Sequence, residues 1–137
     1  IIVPSQDIVL GMYYMTRMRP FARGYGKTFS SKEEAQFAYH TGNLHLQAPI
    51  VVRVNNKLLE TTVGRTFVYD IVPKCLGYED INKTLNKKEL SKLLDKAYRR
   101  GTEKETVLLA DAVMRMGYEY ATKAGISINI NDMVIPK

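Results

Sequence analysis

The sequence predicts an α+β fold that is mostly helical and contains one β-hairpin. One observation is that apolar residues recur at helical spacing behind Ser or Asn caps in several segments. Another is an Ile/Val-rich run at residues 49–54, followed by a short polar turn and a returning run at 58–63. The 137 residues are enough to bury a single core.

The first predicted helix begins at Pro4-Ser5 and runs to about Arg17, before Pro20. Ser5 can cap this helix, and Asp7 lies in its first turn, where the helix dipole favours an acid. Apolar side chains surround the helix on nearly all sides, which is typical of a helix that several neighbours bury.

A loop and a short helix follow. Residues 20–29 contain one proline and two glycines and therefore predict a loop, to which no role is assigned. Ser30-Ser31 predicts the cap of a helix over 32–39, and Gly42 is suited to end it.

The hairpin is predicted from residues 49–54 and 58–63, which Asn55-Asn56-Lys57 joins in a tight turn. The apolar segment 66–71 favours a helix, although its propensities are split, and Pro73 ends it.

Two further helices are predicted in the second half. The first starts at the Asn86 cap, ends at Gly101 and has an apolar stripe at i, i+3, i+4, i+7 and i+8 from Leu90. The second runs over about 103–123, is apolar on two sides and ends at Gly125. A short strand at 126–130 is predicted to follow.

Composition limits the chemistry. A net charge of +6, from 20 basic and 14 acidic residues, fits a nucleic-acid or nucleotide partner and an ordinary basic surface about equally well. Cys75 is the single cysteine, so no internal disulfide is possible. His40 and His45 are predicted to be loop histidines and not metal ligands. No catalytic residue and no metal ligand is predicted in this chain.

The two ends of the sequence predict a segment of a longer protein. The chain begins with Ile1, and residues 134–137 resemble an extended exit. Helices that are apolar on several sides lead to the same expectation, because a small isolated domain cannot cover them all.

Four stretches carry a family resemblance, in order along the chain. They are IIVPSQDIVLGMYYMTR at 1–17, TTVGR with IVPK within 61–74, NKKELSKLL at 86–94 and DMVIP at 132–136. Together they resemble an internal stretch of the β′ subunit of bacterial DNA-directed RNA polymerase, the larger catalytic subunit.

The resemblance implies a place in that enzyme. Residues 1–125 would form the pore domain and 126–137 the start of the funnel, lining the secondary channel that admits nucleotides and takes up backtracked RNA. The parent enzyme would catalyse template-directed nucleotidyl transfer with Mg²⁺ held by aspartates upstream of this segment, and would hold Zn²⁺ elsewhere in β′. The segment alone would bind no cofactor and be inactive.

The resemblance also implies partners. These are the β, α and ω subunits, sigma factor, DNA, RNA, nucleoside triphosphates and secondary-channel regulators, in the bacterial cytoplasm at the nucleoid and away from membranes. The alternative is a free-standing basic nucleic-acid-binding module. That alternative predicts a continuous Lys/Arg face, whereas the basic residues are scattered along the sequence.

Two sets of site residues follow from the resemblance. At the first helix, Gln6 would bond a nucleotide or backtracked RNA and Arg17 would meet phosphate, with Asp7 nearby. For Asp7, simple capping of the helix is the favoured interpretation.

The second set lies on the long helix, where Lys104, Leu108, Asp111 and Arg115 form a narrow stripe. This matches the place where many β′ subunits bind the alarmone ppGpp beside ω. There the lysine meets phosphate, the aliphatic residue packs on guanine and the aspartate accepts from the guanine edge. The family's fourth residue is usually a stacking tyrosine. Arg115 instead can stack on the base or pair with Asp111.

Overall fold

The α+β prediction is confirmed, because six helices surround a small three-stranded sheet. The computed structural model describes the backbone of residues 6–134 and the side chains of residues 8–123. The predicted Ser5 cap, the side chains of Gln6 and Asp7, and residues 135–137 of the predicted exit at 134–137 lie outside these described parts. The first residue of that exit, Val134, is helical.

The first half contains two helices and a loop, as predicted. Helix α1 spans Gln6–Thr16. After the loop, a two-residue strand β1 (Thr28–Phe29) precedes helix α2 (Lys32–His40). The Ser31 side chain accepts a hydrogen bond from the Glu34 backbone N–H, so the predicted cap is confirmed.

The hairpin is also confirmed. Strand β2 (Ile50–Val54) pairs antiparallel with β3 (Lys57–Thr61), and β1 adds to the other edge of β2 in parallel. The turn residues Asn55 and Asn56 both have positive φ, at 52° and 68°. Two such residues are typical of a tight hairpin turn, and asparagine tolerates this conformation.

Helix α3 spans Val63–Ile71, earlier than the predicted 66–71. The second hairpin arm therefore ends at Thr61, not at 63. The cause is Thr62, whose hydroxyl accepts from the Arg65 backbone N–H and starts the helix three residues sooner. A one-turn helix α4 (Tyr78–Ile81), which the sequence did not predict, leads to α5 (Lys87–Arg100).

Helix α6 spans Glu103–Val134, so the predicted strand at 126–130 is wrong. Glycine costs only about 1 kcal/mol inside a helix. Once a helix is nucleated, each further residue adds a hydrogen bond, so neither Gly125 nor the β-branched run after it ends this helix.

The core is one cluster that extends from α1, α5 and α6 through α3 to the sheet. Helix α6 packs on α1 and α5, and α3 also contacts α6. Only one of the two apolar sides of α6 is covered within the described chain. That side contributes Leu109, Val113 and Tyr120 at 1%, 1% and 6% exposure, whereas Val107 and Tyr118 are 59% and 68% exposed.

Candidate functional site

Helix α1, which begins the first predicted site, is fixed against α6 by two glycines. A Cβ added at Gly11 would overlap the carbonyl oxygen of Gly117. A Cβ added at Gly117 would stand 2.6 Å from Ile8 Cγ2 and 2.7 Å from the Ile8 carbonyl oxygen. The two backbones therefore approach as only glycine permits, and the start of α1 has a fixed position on α6.

The C-terminal end of α1 is held by a buried arginine. Arg65 is 7% exposed, and its Nε donates to the Thr16 carbonyl oxygen at 2.9 Å. Its Nη1 donates to Asn82 Oδ1 at 3.2 Å. No carboxylate among the described side chains forms an ion pair with it. Burial lowers the pKa of Arg65, but a guanidinium stays protonated in proteins. The buried positive charge is therefore stabilised by the Thr16 carbonyl oxygen and the Asn82 amide oxygen.

The hydrogen bonds around Thr16 extend this network. The Thr16 hydroxyl donates to the Met12 carbonyl oxygen at 2.6 Å and accepts from the Leu85 N–H at 2.8 Å. Asn82 Nδ2 donates to the Glu60 carbonyl oxygen at 2.9 Å. Helices α1 and α3, the end of α4, strand β3 and the segment before α5 are thus tied together around the buried Thr16 and Arg65.

A second buried charge fixes α4 to α5. The Asp80 side chain is 4% exposed and meets Lys96 Nζ at 2.7 Å and Arg100 Nη1 at 3.3 Å. It also accepts from the Gly77 N–H at 2.9 Å. Burial by itself would raise the pKa of Asp80, but the bonds from Lys96 and Gly77 and the nearby cations outweigh burial and hold that pKa below its usual value.

Of the first predicted set, only Arg17 has a described side chain. Arg17 is exposed just after the last residue of α1, and its N–H still donates to the Tyr13 carbonyl oxygen at 3.0 Å. No described carboxylate pairs with its guanidinium, so it is available for an anion. Gln6 and Asp7 lie about one helix length away, because they begin the helix that Arg17 follows.

The second predicted set does form one exposed stripe. Lys104, Asp111 and Arg115 are exposed on α6, and Leu108 is 59% exposed. Val107 and Tyr118 widen the stripe into an apolar and charged outer face of α6. The opposite side of α6, which carries Gly117, packs on α1 at Gly11.

Within that stripe, Arg115 Nη2 forms an ion pair with Asp111 Oδ2. The hydrogen bond that Arg115 donates to the Asp111 carboxylate raises the pKa of Arg115. Of the two interpretations of Arg115 left open by the sequence, the structure shows the pairing with Asp111. The carboxylate that would read a guanine edge is occupied by a neighbouring side chain.

The remaining candidates show no chemistry of their own. His45 Nδ1 accepts from the Gln47 N–H at 3.0 Å, and His40 packs against Tyr39 and Phe67 with ring centroids at 5.3 and 5.9 Å. Cys75 is partly buried. Among the described residues, no group of three His, Cys, Asp or Glu side chains is placed to hold a metal. None of the described helices is long and apolar enough to cross a membrane.

A cleft of about 520 Å³ opens between α2, α3 and α6. Tyr39, Phe67 and Tyr120 line it, and burial raises the pKa of Tyr120. Lys123 lies 4.6 Å from the centre of the Tyr120 ring and pairs with Glu119 at 3.3 Å. The charged groups of the cleft therefore satisfy each other.

Comparison with known proteins decides the family. The family model described as RNA polymerase Rpb1, domain 3, matches residues 1–133. The chain belongs to this family.

Individual members of the family are close in sequence. The chain is 55% identical over 136 residues to the DNA-directed RNA polymerase β′ subunit of Bdellovibrio bacteriovorus, and 50% identical to that of Syntrophobacter fumaroxidans. In both cases the match covers 99% of this chain and 10% of the relative, so the chain spans about a tenth of their length. The resemblance to bacterial β′ subunits is therefore confirmed.

Sequence reasoning missed the organising residues of this Rpb1 domain. The sequence marks Arg65 only as the last residue of the TTVGR motif, and nothing in its local sequence distinguishes a buried arginine from an exposed one. The glycines at 11 and 117 had a weak signal, since glycine inside a helix is unfavourable unless packing or function requires it.

Proposed function

We propose that this domain is part of the wall of the secondary channel in a bacterial DNA-directed RNA polymerase β′ subunit. The observation that carries the proposal is the match to the family and to β′ subunits over nearly every residue of the chain. Residues 1–125 are assigned to the pore and 126–137 to the start of the funnel. The parent enzyme is a nucleotidyltransferase that acts in the cytoplasm on nucleoside triphosphates, DNA and RNA.

The domain is proposed to shape the channel and not to perform the reaction. The β′ resemblance places the aspartates that hold the catalytic Mg²⁺ upstream of this segment. We therefore assign no step of the reaction to this chain. Its contribution is a wall whose position is fixed by the glycine contact between α1 and α6 and by the Arg65 network.

The uncovered surfaces support a place inside a large assembly. Large apolar side chains remain exposed on α1, α2, α5 and α6: Leu10, Phe37, Tyr98, Val107, Leu108 and Tyr118. Exposed apolar area of this kind is typical of surfaces that other protein covers. The proposed covering partners are the rest of β′ and the β, α and ω subunits, with sigma factor in the holoenzyme.

The reading frame that encodes the chain provides a direct test. If the proposal is right, the frame continues upstream into the aspartate-rich catalytic loop of the family, Asn-Ala-Asp-Phe-Asp-Gly-Asp. A frame that lacks this loop would reject the polymerase assignment.

Arg17 tests the channel assignment itself. Because its guanidinium is exposed and lacks a described carboxylate partner, we propose that it meets phosphate of an incoming nucleotide or of backtracked RNA. In assembled polymerase, Arg17→Ala should raise the KM for nucleotides or slow cleavage of backtracked RNA. Arg53→Ala, which removes another exposed arginine, on β2, should change neither. Equal behaviour of the two variants would argue against a channel role for Arg17.

We further propose that the outer face of α6 binds ppGpp through Lys104, Leu108 and Asp111. Binding requires Asp111 to release Arg115, after which Arg115 is free to stack on the base or to pair with phosphate. A ppGpp titration of the whole polymerase should show weaker binding after Asp111→Ala. Asp95→Ala removes the partner of Arg99 in a comparable exposed pair on α5 and serves as control. Equal affinity of wild type and Asp111→Ala would reject the site.

The alternative of a free-standing nucleic-acid-binding module has less support. That alternative predicts a continuous basic face, but on α5 and α6 most basic side chains pair with acidic ones. That alternative would require high-affinity, strongly salt-dependent binding of DNA or RNA by the chain without any other subunit.

A further inference from the structure

The loop between α1 and α2 carries an unbalanced positive charge. Residues 8–32 contain no Asp or Glu, and four exposed basic residues lie within 17–27: Arg17, Arg19, Arg23 and Lys27. Their combined charge of +4 compares with +6 for the whole chain. Among the described side chains, no carboxylate lies within 4.0 Å of any of them. This segment, residues 17–27, is called the basic loop below.

Most basic side chains from Lys83 to Lys123 show the opposite pattern. On α5, α6 and the turn before α5, seven of them lie within 4.0 Å of an acidic side chain. These bases are Lys83, Lys92, Lys96, Arg99, Arg100, Arg115 and Lys123. The basic loop therefore differs from a generally basic surface, because its cations are concentrated and lack acidic partners.

The basic loop has a defined backbone. At one end, the Arg19 N–H donates to the carbonyl oxygen of Gln47, in the segment before β2, at 2.8 Å. At the other end, the Val51 N–H of β2 donates to the carbonyl oxygen of Lys27 at 2.9 Å. The Arg23 carbonyl accepts from the His45 N–H at 2.8 Å between them. The cations are thus presented from a fixed frame, which reduces the entropy lost when they bind a partner.

Two aromatic rings stand out from the same frame. Phe21 is 79% exposed and Tyr25 is 55% exposed, and their ring centroids lie 5.3 Å apart at 87°. Phe21 has φ of +66°, an unfavourable conformation for a bulky residue. Such strain persists only where the surrounding structure imposes it, and it often marks a binding surface.

His45 lies directly beneath the loop, because its N–H donates to the Arg23 carbonyl oxygen. Burial lowers the pKa of His45, and the charges of Arg19 and Arg23 lower it further.

We propose that the basic loop binds a single strand of nucleic acid, with phosphates on Arg19, Arg23 and Lys27 and a base stacked on Phe21 or Tyr25. Cations track the backbone of a single strand while aromatic faces stack on unpaired bases. A base-paired duplex offers no free base face to the rings, and binding of an acidic protein segment is an outcome that the test below distinguishes. The proposal goes beyond the channel assignment and does not use Arg17.

The test places a photo-crosslinking benzoylphenylalanine at position 21 of the full-length subunit in assembled polymerase. Short labelled RNA and DNA strands are the probes. We expect a crosslink to one or both strands, and the strand that reacts identifies RNA or DNA as the natural source. The same crosslinker at Phe37, which is 70% exposed on α2 beside Glu33 and Glu34, should react far less.

Charge variants then test the phosphate contacts. Replacing Arg19, Arg23 and Lys27 by Ala should reduce the crosslink at least tenfold at moderate salt. The slope of log affinity against log salt concentration should also become less steep by about 2, since each single-strand phosphate contact contributes about 0.7 to that slope. The matched control removes three exposed basic residues outside the loop that also lack an ion pair with a described acidic side chain: Lys57, Lys87 and Lys88.

Two further variants separate binding from folding. Tyr25→Ala removes a stacking face and leaves every cation, and should weaken binding about fivefold or more. Replacing Arg19 and Arg23 by Lys keeps the charge and should retain most binding. The proposal is overturned if neither strand crosslinks, if only another subunit crosslinks, or if the control lysine variant loses as much as the loop variant.

Discussion

The interior of this domain and the outer face of α6 use arginine in opposite ways. Arg65 is buried and bonds to a carbonyl and an amide oxygen, so it holds helices α1 and α4 together. Arg115 is exposed and pairs with Asp111 one helical turn away. The interior network joins several elements, whereas the outer pair joins two exposed side chains of one helix, and such exposed pairs contribute little to stability. Substitutions in the interior should therefore change stability, and those on the outer face should change binding.

The largest effect is expected at the contact between α1 and α6. Gly11→Ala should lower the free energy of unfolding by about 3 kcal/mol, because the new methyl group overlaps the backbone of Gly117 and the helices must separate. Urea denaturation of the chain, followed by circular dichroism, measures the change.

Gly26→Ala is the control for this first prediction. No atom lies within 4 Å of a Cβ added at Gly26, but its φ is +82°, so only backbone strain of about 1–2 kcal/mol applies. If the two variants lose the same stability, steric contact at the crossing is not what requires glycine.

Removing the buried charge should have the next largest effect. Arg65→Met keeps much of the side-chain volume but leaves the Thr16 carbonyl and the Asn82 amide oxygen without their donor. Unsatisfied buried acceptors cost about 1–3 kcal/mol each, and release of a desolvated charge offsets part of this. We expect a loss of about 2 kcal/mol by chemical denaturation. Arg53→Met, on the exposed face of β2, should lose less than about 0.5 kcal/mol.

Asp80 should add a pH dependence to the interior. Its pKa is lowered in the folded chain, so its contribution to stability is present above the unfolded pKa of about 3.9 and is lost as pH falls through the folded value. Asp80→Asn should cost about 1–2 kcal/mol at pH 7 and progressively less below pH of about 4. Denaturation of both proteins across this range measures the difference. A gap that stays constant with pH would show that the charge of Asp80 is not what stabilises α4 on α5.

The contrast between interior and outer face also explains what the sequence could predict. Local signals placed most elements correctly: Asn86 caps α5, Asn55 and Asn56 form the hairpin turn, and the fold class followed. The same local rules failed after Gly125, where continuation of a long helix outweighed residue propensity.

The candidate sites were predictable to different degrees. The outer stripe of α6 followed from helical spacing, since Lys104 and Asp111 share a face in any regular helix. The Arg65 network depends on residues separated by 49 and 17 positions, and no sequence spacing brings them together. The basic loop had a visible charge signal, but its exposure and the edge-to-face contact of Phe21 with Tyr25 required the fold.

The smallest structural change should occur at Arg115, and there the effect should be on binding. Arg115→Tyr removes the ion pair with Asp111 and supplies the stacking ring that the β′ resemblance implies at this position. The stability of the chain should be unchanged, while the affinity of assembled polymerase for ppGpp should rise several-fold, because the carboxylate no longer has to be released. Arg99→Tyr breaks the analogous Asp95–Arg99 pair of 3.0 Å on α5 and should leave ppGpp affinity as it was. Weaker ppGpp binding after Arg115→Tyr would instead show that Arg115 itself contacts the ligand, and that the ion pair with Asp111 is only its resting partner.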